Sequence, residues 1–283
     1  MRPSTTRYVI RCQRIKLWQS AHTQVFPSPI STHRNLIMTH ELLIVAFALF
    51  LGGAVQSIGG FGAMLVAVPL VSMVLPLQTT VPLLSTLGVP ITVVVFYNNR
   101  RGIDWREVGR ITVGALIGIP LGLWALKNID GDLIMHLLGG LLIAYSVYAL
   151  FVEPRLLANP QKARSSSRFL SLLVGLTSGV LGGAFNTGGP PLIVYGDWLR
   201  WPKERFKAIV QGVFITNGSI IITGHIISGN LNATMLPYVA VALPGILLGL
   251  WAGHHIDKYI NPIQFRRIVL CLLLVMGASL AFR

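Results

Sequence analysis

Two short stretches of an otherwise apolar sequence combine glycine with neutral hydrogen-bonding side chains. Residues 182–191 read GGAFNTGGPP, with four glycines and two prolines around Asn186 and Thr187, and residues 58–62 read IGGFG. Such runs end one helix and begin another, and glycine lets backbone N–H groups approach a ligand closely. The first N–H groups of a helix carry positive partial charge, so both stretches can bind an anion without a lysine or arginine.

The residues expected to bind this anion lie in the two turns, next to them, or on a later helix predicted at about residues 204–227. They are Gln56, Ser57, Gly59, Gly60, Phe61, Gly62, Gly183, Asn186, Thr187, Gly188, Gly189, Gln211 and Asn217. Ser85, Thr86 and Thr216 are expected to line the walls. Other glycines recur every four residues, as at Gly114, Gly118 and Gly122, and this spacing predicts close helix packing instead.

The composition predicts an all-α polytopic membrane protein. The chain of 283 residues is 53% hydrophobic and 11% charged, whereas soluble domains carry charge on about a quarter of their residues. Residues 42–99 contain no acidic or basic side chain and no histidine, and roughly 20 apolar residues suffice to cross a bilayer. The net charge of +14 comes from basic residues that punctuate the apolar runs. This pattern indicates a lipid bilayer as partner and excludes nucleic acid.

Ten helical segments follow from the apolar runs and the glycine, proline and polar clusters that break them. Five lie in the first half, at about 42–57, 61–75, 80–98, 108–126 and 133–152. Five lie in the second, at about 169–181, 188–199, 204–227, 233–252 and 264–282.

A sequence repeat relates the two halves. Residues 121–130 read LGLWALKNID and residues 248–257 read LGLWAGHHID, with seven identities in ten at an offset of 127 residues. A duplicated unit is therefore expected. We assign residues 39–152 to the first transmembrane repeat, 153–168 to a cytoplasmic linker and 169–283 to the second repeat. Residues 1–38 form a basic extension that is expected to be disordered or to precede the true start of the protein.

The basic residues predict how the chain is oriented. Within residues 39–283, fifteen lysines and arginines follow the third, fifth, seventh and ninth segments, whereas only Lys127 and Arg283 fall on the opposite side. Because short cytoplasmic loops hold the excess of basic residues, both termini are expected outside the cytoplasm. The two units are then inverted relative to each other, which is the usual construction of secondary transporters.

The turns are expected to be the tips of hairpins. Only 31 residues separate Arg168 from Arg200, and two full crossings need about 40. The sixth and seventh segments should therefore enter from inside, turn near Asn186 and return, while IGGFG forms the equivalent tip from outside. The predicted fold has two inverted repeats, each with one hairpin and three transmembrane helices. This gives six full spans and two hairpins, or about eight membrane segments.

Three stretches resemble the sulfite exporter TauE/SafE family of bacterial membrane permeases. They read GGFGAMLVAVPLV, GVLGGAFNTGGPPLIVYG and WPKERFKA, and the resemblance covers about residues 40–282. It implies movement of small organic or sulfur-containing anions, such as sulfite, sulfoacetate or related carboxylates, across the bacterial cytoplasmic membrane. It also implies about eight membrane helices.

The function expected from these observations is a secondary transporter for a small anion that works by alternating access, without a cofactor. An anion channel shares every motif. A membrane-embedded enzyme is less favoured, because no nucleophile, acid–base pair or metal cluster is recognisable in the sequence. The sequence is compatible with coupling to protons or sodium and with a homo-oligomer.

Overall fold

The computed structural model describes residues 29–59, 61–99, 102–158, 166–232, 235–259 and 261–282, and the regular elements within these ranges are helices. The chain divides into two compact units, Met1–His40 and Glu41–Arg283, and the second contains every contact discussed below. The predicted extension lies mostly outside the described residues, so its assignment stays a prediction.

The described helices correspond to the ten predicted segments. They are α1 (Pro29–Gly59), α2 (Ala63–Ser72), α3 (Leu77–Asn99), α4 (Trp105–Asn128), α5 (Gly131–Val147), α6 (Arg168–Phe185), α7 (Gly189–Leu199), α8 (Lys203–Ile227), α9 (Leu236–Ile256) and α10 (Pro262–Ala281). Helix α5 continues through a π-helical turn, Tyr148–Val152, into the helix Glu153–Ala158.

Two predicted boundaries were wrong because apolarity marks the membrane part of a helix rather than its end. Helix α1 begins at Pro29 instead of residue 42, although the stretch able to cross a membrane begins at His40. The helical path of α5 reaches Ala158 and so enters the predicted linker. Backbone hydrogen bonds alone can extend a helix beyond its apolar run.

The expected total of about eight membrane segments is confirmed, but the helices that make it up differ from the six full spans and two hairpins that were expected. Eight helices in the described part of the chain are long and apolar enough to cross a membrane, and α1 and α6 are among them. Helix α6 has 18 residues, or about 27 Å at 1.5 Å per residue. The short members of the two hairpins are α2, with 10 residues, and α7, with 11.

Glycines hold the first helix of each half against the fourth helix of the other half. A Cβ atom at Gly114, Gly118 or Gly122 of α4 would overlap backbone carbonyl oxygens of α6. Gly114 lies at Leu172, and each later glycine of α4 lies at a later residue of α6. Helices α4 and α6 therefore run parallel. Helices α1 and α9 repeat this arrangement through three glycines of α9. These are Gly245, Gly249 and Gly253, which lie against Ala46, Phe50 and Ala54.

Helices α6 and α7 form the predicted hairpin. The Ser178 hydroxyl near the turn donates to the Gly188 carbonyl over 2.6 Å, and at the far end Ser171 Oγ lies 3.0 Å from the Tyr195 hydroxyl oxygen. The two helices are therefore antiparallel neighbours, and the start of α6 and the end of α7 lie at the same end of the protein. The turn near Asn186 is confirmed.

A buried carboxylate closes the base of this hairpin. Glu107, only 2% exposed, accepts hydrogen bonds from Ser171 and Tyr195 at 2.7 Å each and from Ser166 at 3.0 Å. Arg110 lies 3.3 Å from the same carboxylate. Because four donors satisfy one buried charge, this network fixes the start of α6 and the end of α7 to the start of α4.

A second ionic contact joins the start of α8 to the start of α4. Asp104 caps α4 by accepting from the backbone N–H groups of Arg106 and Glu107, and Arg205 donates to it over 2.8 Å. Partial burial raises the pKa of Asp104, but the Glu107 N–H group and the Arg205 guanidinium lower it more, so the net shift is downward. The carboxyl group therefore stays ionised and keeps both contacts.

We expect Gly118→Ala to destabilise the protein, because the new methyl group would overlap the Leu176 carbonyl oxygen of α6. Overpacking of this kind costs roughly 1–3 kcal/mol, which should appear as a lower thermal unfolding temperature in detergent. Gly140→Ala is the matched control, because a Cβ atom there meets nothing within 4 Å. Equal unfolding temperatures for the two variants would contradict the packing described here.

We expect Glu107→Gln to weaken the base of the hairpin, because an amide offers only one acceptor oxygen to the hydroxyl donors and no charge to Arg110. Hydrogen bonds to a charged group contribute about 1.5–3 kcal/mol each, so thermal unfolding should occur at a lower temperature. Glu204→Gln, at an exposed glutamate near the start of α8, is the control. Unchanged unfolding of Glu107→Gln would show that the network does not hold the hairpin.

Candidate functional site

The turn between α6 and α7 brings side chains to the hairpin tip. Asn186 ends α6 in the left-handed conformation, with φ 54° and ψ 24°, which asparagine tolerates better than most residues. Its N–H group donates to the Gly182 carbonyl, and the Thr187 N–H group donates to the Leu181 carbonyl. These bonds provide partners for carbonyl groups at the end of α6 and use the backbone N–H groups of both residues rather than their side chains.

The start of α7 has fewer backbone N–H groups than the start of a helix without proline. Its first turn contains Pro190 and Pro191, which have no N–H group. The free donors of this turn are therefore limited to the other residues, Gly189 and Leu192. The positive end of the helix dipole remains directed at the turn.

The turn between α1 and α2 has an equivalent construction. Gly62 precedes α2 with φ 105°, which is readily adopted only by glycine. Gln56 Oε1 accepts a hydrogen bond of 3.1 Å from the Ala63 N–H group. Gln56 therefore caps the start of α2 with its oxygen, and one of the N–H groups expected to meet a ligand is already bonded.

The two turns meet at one cavity of about 90 Å³. Helices α3 and α8 form its other walls. Its lining includes Gln56, Phe61, Gly62 and Met64 from the first hairpin, Ser178, Asn186, Thr187, Gly188 and Gly189 from the second, Ser85, Gly88, Val89 and Thr92 from α3, and Phe214, Asn217, Gly218 and Ile221 from α8. The side chains that surround it are neutral, and they combine polar groups with apolar ones.

Three polar atoms at this cavity are buried without a hydrogen-bond partner among the described residues. They are Asn186 Nδ2, Thr187 Oγ1 and Asn217 Oδ1. Thr187 is 2% exposed and Asn217 5% exposed, and the Asn217 amide can turn its NH2 group inward instead of its oxygen. A buried polar group without a partner costs about 1–3 kcal/mol. A ligand that bonds these groups would recover this free energy.

The structure brings most of the predicted residues together at this cavity. Gln56, Phe61, Gly62, Asn186, Thr187, Gly188, Gly189 and Asn217 line it. Four other candidates lie elsewhere. Gly183 packs against the α4 backbone at Ile119, Ser57 against Gly253, and Gly59 lines a second cavity. Gln211 is fully buried one turn before Phe214. Gly60 lies outside the described residues.

The candidates expected on the walls divide in the same way. Ser85 lines the cavity, and its hydroxyl donates to the Val81 carbonyl of its own helix. Thr86 Oγ1 donates to the Leu83 carbonyl, and Thr216 Oγ1 lies 2.9 Å from Thr112 Oγ1 of α4. Thr216 therefore joins α8 to α4 rather than facing the cavity.

Several lining residues were not predicted, although helical periodicity carries a signal for them. Ser178 and Gly182 lie eight and four residues before Asn186, on the same face of α6. Gly88 and Thr92 extend the face of α3 that contains Ser85. On α8 the lining residues follow the spacing i, i+3, i+4 and i+7, namely Phe214, Asn217, Gly218 and Ile221.

Comparison with known proteins identifies relatives in bacterial membranes. The family model described as Sulfite exporter TauE/SafE matches residues 45–280. A protein from Cupriavidus necator named Probable sulfite/organosulfonate exporter TauE is 25% identical over 231 residues, which cover 80% of this chain and 88% of that protein. A protein from Comamonas testosteroni named Probable inner membrane transporter protein TsaS is 29% identical over 206 residues, which cover 70% and 81%. No solved structure matches the chain.

The family match spans most of the residues that form the membrane helices, and it includes both turns and both cavity-lining helices. Together with the eight helices able to cross a membrane, it establishes a multi-pass membrane protein of a transporter family. This chain belongs to the sulfite exporter TauE/SafE family.

Proposed function

We propose that the protein is a secondary transporter that binds a small organic or sulfur-containing anion in the cavity between the two hairpin turns. One observation carries this proposal, namely that Asn186, Thr187 and Asn217 line one cavity and each has a buried polar atom without a partner among the described residues. Hydroxyl and amide groups at helix ends stabilise an anion through directed dipoles. A neutral site can also release the anion, because no full opposite charge holds it.

The cavity lining supports a small anion with an apolar part. A volume of about 90 Å³ is several times the roughly 10–15 Å³ of cavity volume that one water molecule needs, so a small anion can be accommodated. Phe61, Val89 and Phe214 provide apolar surface beside the polar groups. Sulfite and short organosulfonates have this size and polarity, and the relative from Cupriavidus necator is named as a probable exporter of both classes. Membrane-embedded catalysis has no such support.

The packing supports two inverted halves and alternating access. Ile103, just beyond α3, lies against Gly212 of α8, whereas Val89 in the middle of α3 lies against Gly218. The contact moves backwards along α3 as it moves forwards along α8, so these equivalent helices run antiparallel. Rocking one inverted half against the other would expose the cavity to each side in turn.

We place the protein in the bacterial cytoplasmic membrane with both termini outside the cytoplasm.

We expect Thr187→Val to weaken transport, because valine keeps the shape of threonine and removes the unpartnered hydroxyl group. Loss of one hydrogen bond to a charged ligand costs about 1.5–3 kcal/mol, which corresponds to a rise of roughly 10–100-fold in the half-saturating anion concentration. The measurement is efflux of sulfite and sulfoacetate from proteoliposomes. Counterflow of labelled anion in the same vesicles separates a carrier from a channel.

Thr177→Val is the matched control for this substitution. Thr177 lies on α6, in the same hairpin as Thr187. It is exposed, and its hydroxyl group donates to the Leu173 and Val174 carbonyl groups of its own helix. This variant should transport like the unchanged protein. If Thr187→Val kept the original half-saturating concentration for every anion that moves, the anion would not bind at this turn.

The orientation can be tested by labelling two exposed serines replaced by cysteine, Ser167→Cys and Ser228→Cys, in a chain whose Cys12 and Cys271 are changed to alanine. Ser228 lies at the end of α8 and Ser167 just before α6. A membrane-impermeant maleimide should label intact cells of Ser228→Cys, whereas Ser167→Cys should need permeabilised cells. The reverse pattern, or equal labelling of both, would contradict the proposed orientation.

A further inference from the structure

A second cavity of about 330 Å³ adjoins the first one. Phe61 and Gly62 line both cavities, and the Phe61 ring packs edge-on against Phe206 with ring centroids 6.2 Å apart. Phe61 thus forms the wall between the two spaces. The second cavity extends towards the ends of helices that carry the basic residues, because Lys207 and Arg266 lie near the starts of α8 and α10.

The second cavity differs from the first in charge. Its lining contains Glu153, Asp197, Lys207 and Arg266. The Arg266 guanidinium donates from both terminal nitrogens to the two oxygens of Glu153, which is 3% exposed. Asp197 Oδ2 is buried and accepts no hydrogen bond from the described residues. The Glu153 carboxylate therefore occupies both terminal nitrogens of the Arg266 guanidinium group, and the Asp197 carboxyl group lines the same cavity without this contact.

Charged and titratable groups from several helices surround Asp197 and influence whether its carboxyl group is ionised. Asp197 lies within electrostatic range of Glu153 from the helical path of α5 and of Arg266 from α10. Tyr145 of α5 and Tyr148 of the π-helical turn lie within electrostatic range of the same three charged groups, and Lys207 lines the cavity from α8. A carboxylate next to another carboxylate, in a cavity whose remaining walls are largely apolar, is costly unless it gains a proton or a cation.

We propose that Asp197 takes up and releases a proton, and that its charge controls passage of the anion between the two cavities. The step is the reversible addition of one proton from water to the Asp197 carboxylate, without any other change of bond. With Asp197 ionised, two carboxylates balance the two cations and the cavity is formally neutral. With Asp197 protonated, the cavity carries one net positive charge and attracts the anion past Phe61. This inference rests on the proposed transport function and names a residue that regulates it.

The test is efflux of a sulfonate from proteoliposomes at a series of pH values on the side of the second cavity. A sulfonate keeps its charge through the neutral range, so any pH dependence belongs to the protein. For a single proton, flux should fall by up to about tenfold per pH unit above the transition. Asp197→Asn, which is always neutral, should lose this dependence and keep the flux seen at acidic pH.

Two further variants make the result specific. Asp257→Asn removes an exposed aspartate at the end of α9 and should keep the original pH profile. Asp197→Glu retains an ionisable group and should restore a pH-dependent flux that Asp197→Asn lacks. If Asp197→Asn kept the profile of the unchanged protein, the proposal would be overturned.

Infrared spectroscopy of the reconstituted protein separates this proposal from the transport proposal. A protonated carboxyl group absorbs as a C=O stretch, and lowering the pH should add such a band in the unchanged protein and in Asp257→Asn but not in Asp197→Asn. If that band is present while no tested anion moves, the transport proposal fails and the proton site remains. If Asp197→Asn gains the same band as the unchanged protein, Asp197 is not the group that binds the proton.

Discussion

Backbone groups freed by a break in a membrane helix must find partners inside the protein, because the hydrocarbon core of a bilayer offers none. Both hairpin turns meet this constraint locally. Gln56 caps Ala63 in the first hairpin, and Ser178 donates to Gly188 in the second. The N–H groups of Asn186 and Thr187 bond the end of α6. Once the backbone is satisfied in this way, the polar side chains of the turn are left to face the cavity.

The same hairpins depend on close helix packing away from their tips. Helix α6 lies so near to α4 that side chains larger than hydrogen are excluded along the contact, and α1 lies against α9 in the same manner. Each half therefore packs its first helix on the other half. This packing of each first helix on the other half brings the two turns to one cavity, although more than 100 residues separate them in the chain. Gly183 belongs to this packing and not to the cavity.

Charge is distributed unevenly between the two cavities. The central one is lined by neutral groups, whereas the larger one contains two acidic and two basic residues. The anion that we propose for the central cavity would be stabilised by dipoles whose directions the helices fix, without a counter-ion that must be desolvated. Charges towards the helix ends can attract or repel an anion at longer range. Phe61 lies at the boundary between these two environments.

Much of the fold could be predicted from the sequence because the signals are local. Apolar run length predicts which helices can cross a membrane, and the glycine and proline clusters predicted both turns. The resemblance in three short motifs predicted the family. The residues of the turns themselves, such as Asn186, Thr187 and Gly62, were also found in this way, because the residues that break a helix lie in the turn that the break produces.

Only the tertiary structure decided which distant residues meet. Gly182 and Gly183 are successive residues of α6, yet Gly182 lines the cavity and Gly183 packs against α4, because successive helix positions face different neighbours. Gln211 and Asn217 look alike in sequence, yet only Asn217 lines the cavity. The approach of Asp197 to Glu153 and Arg266 depends on three helices packed side by side. A sequence pattern indicates which residues share one face of a helix. Which faces of different helices meet depends on how the helices pack.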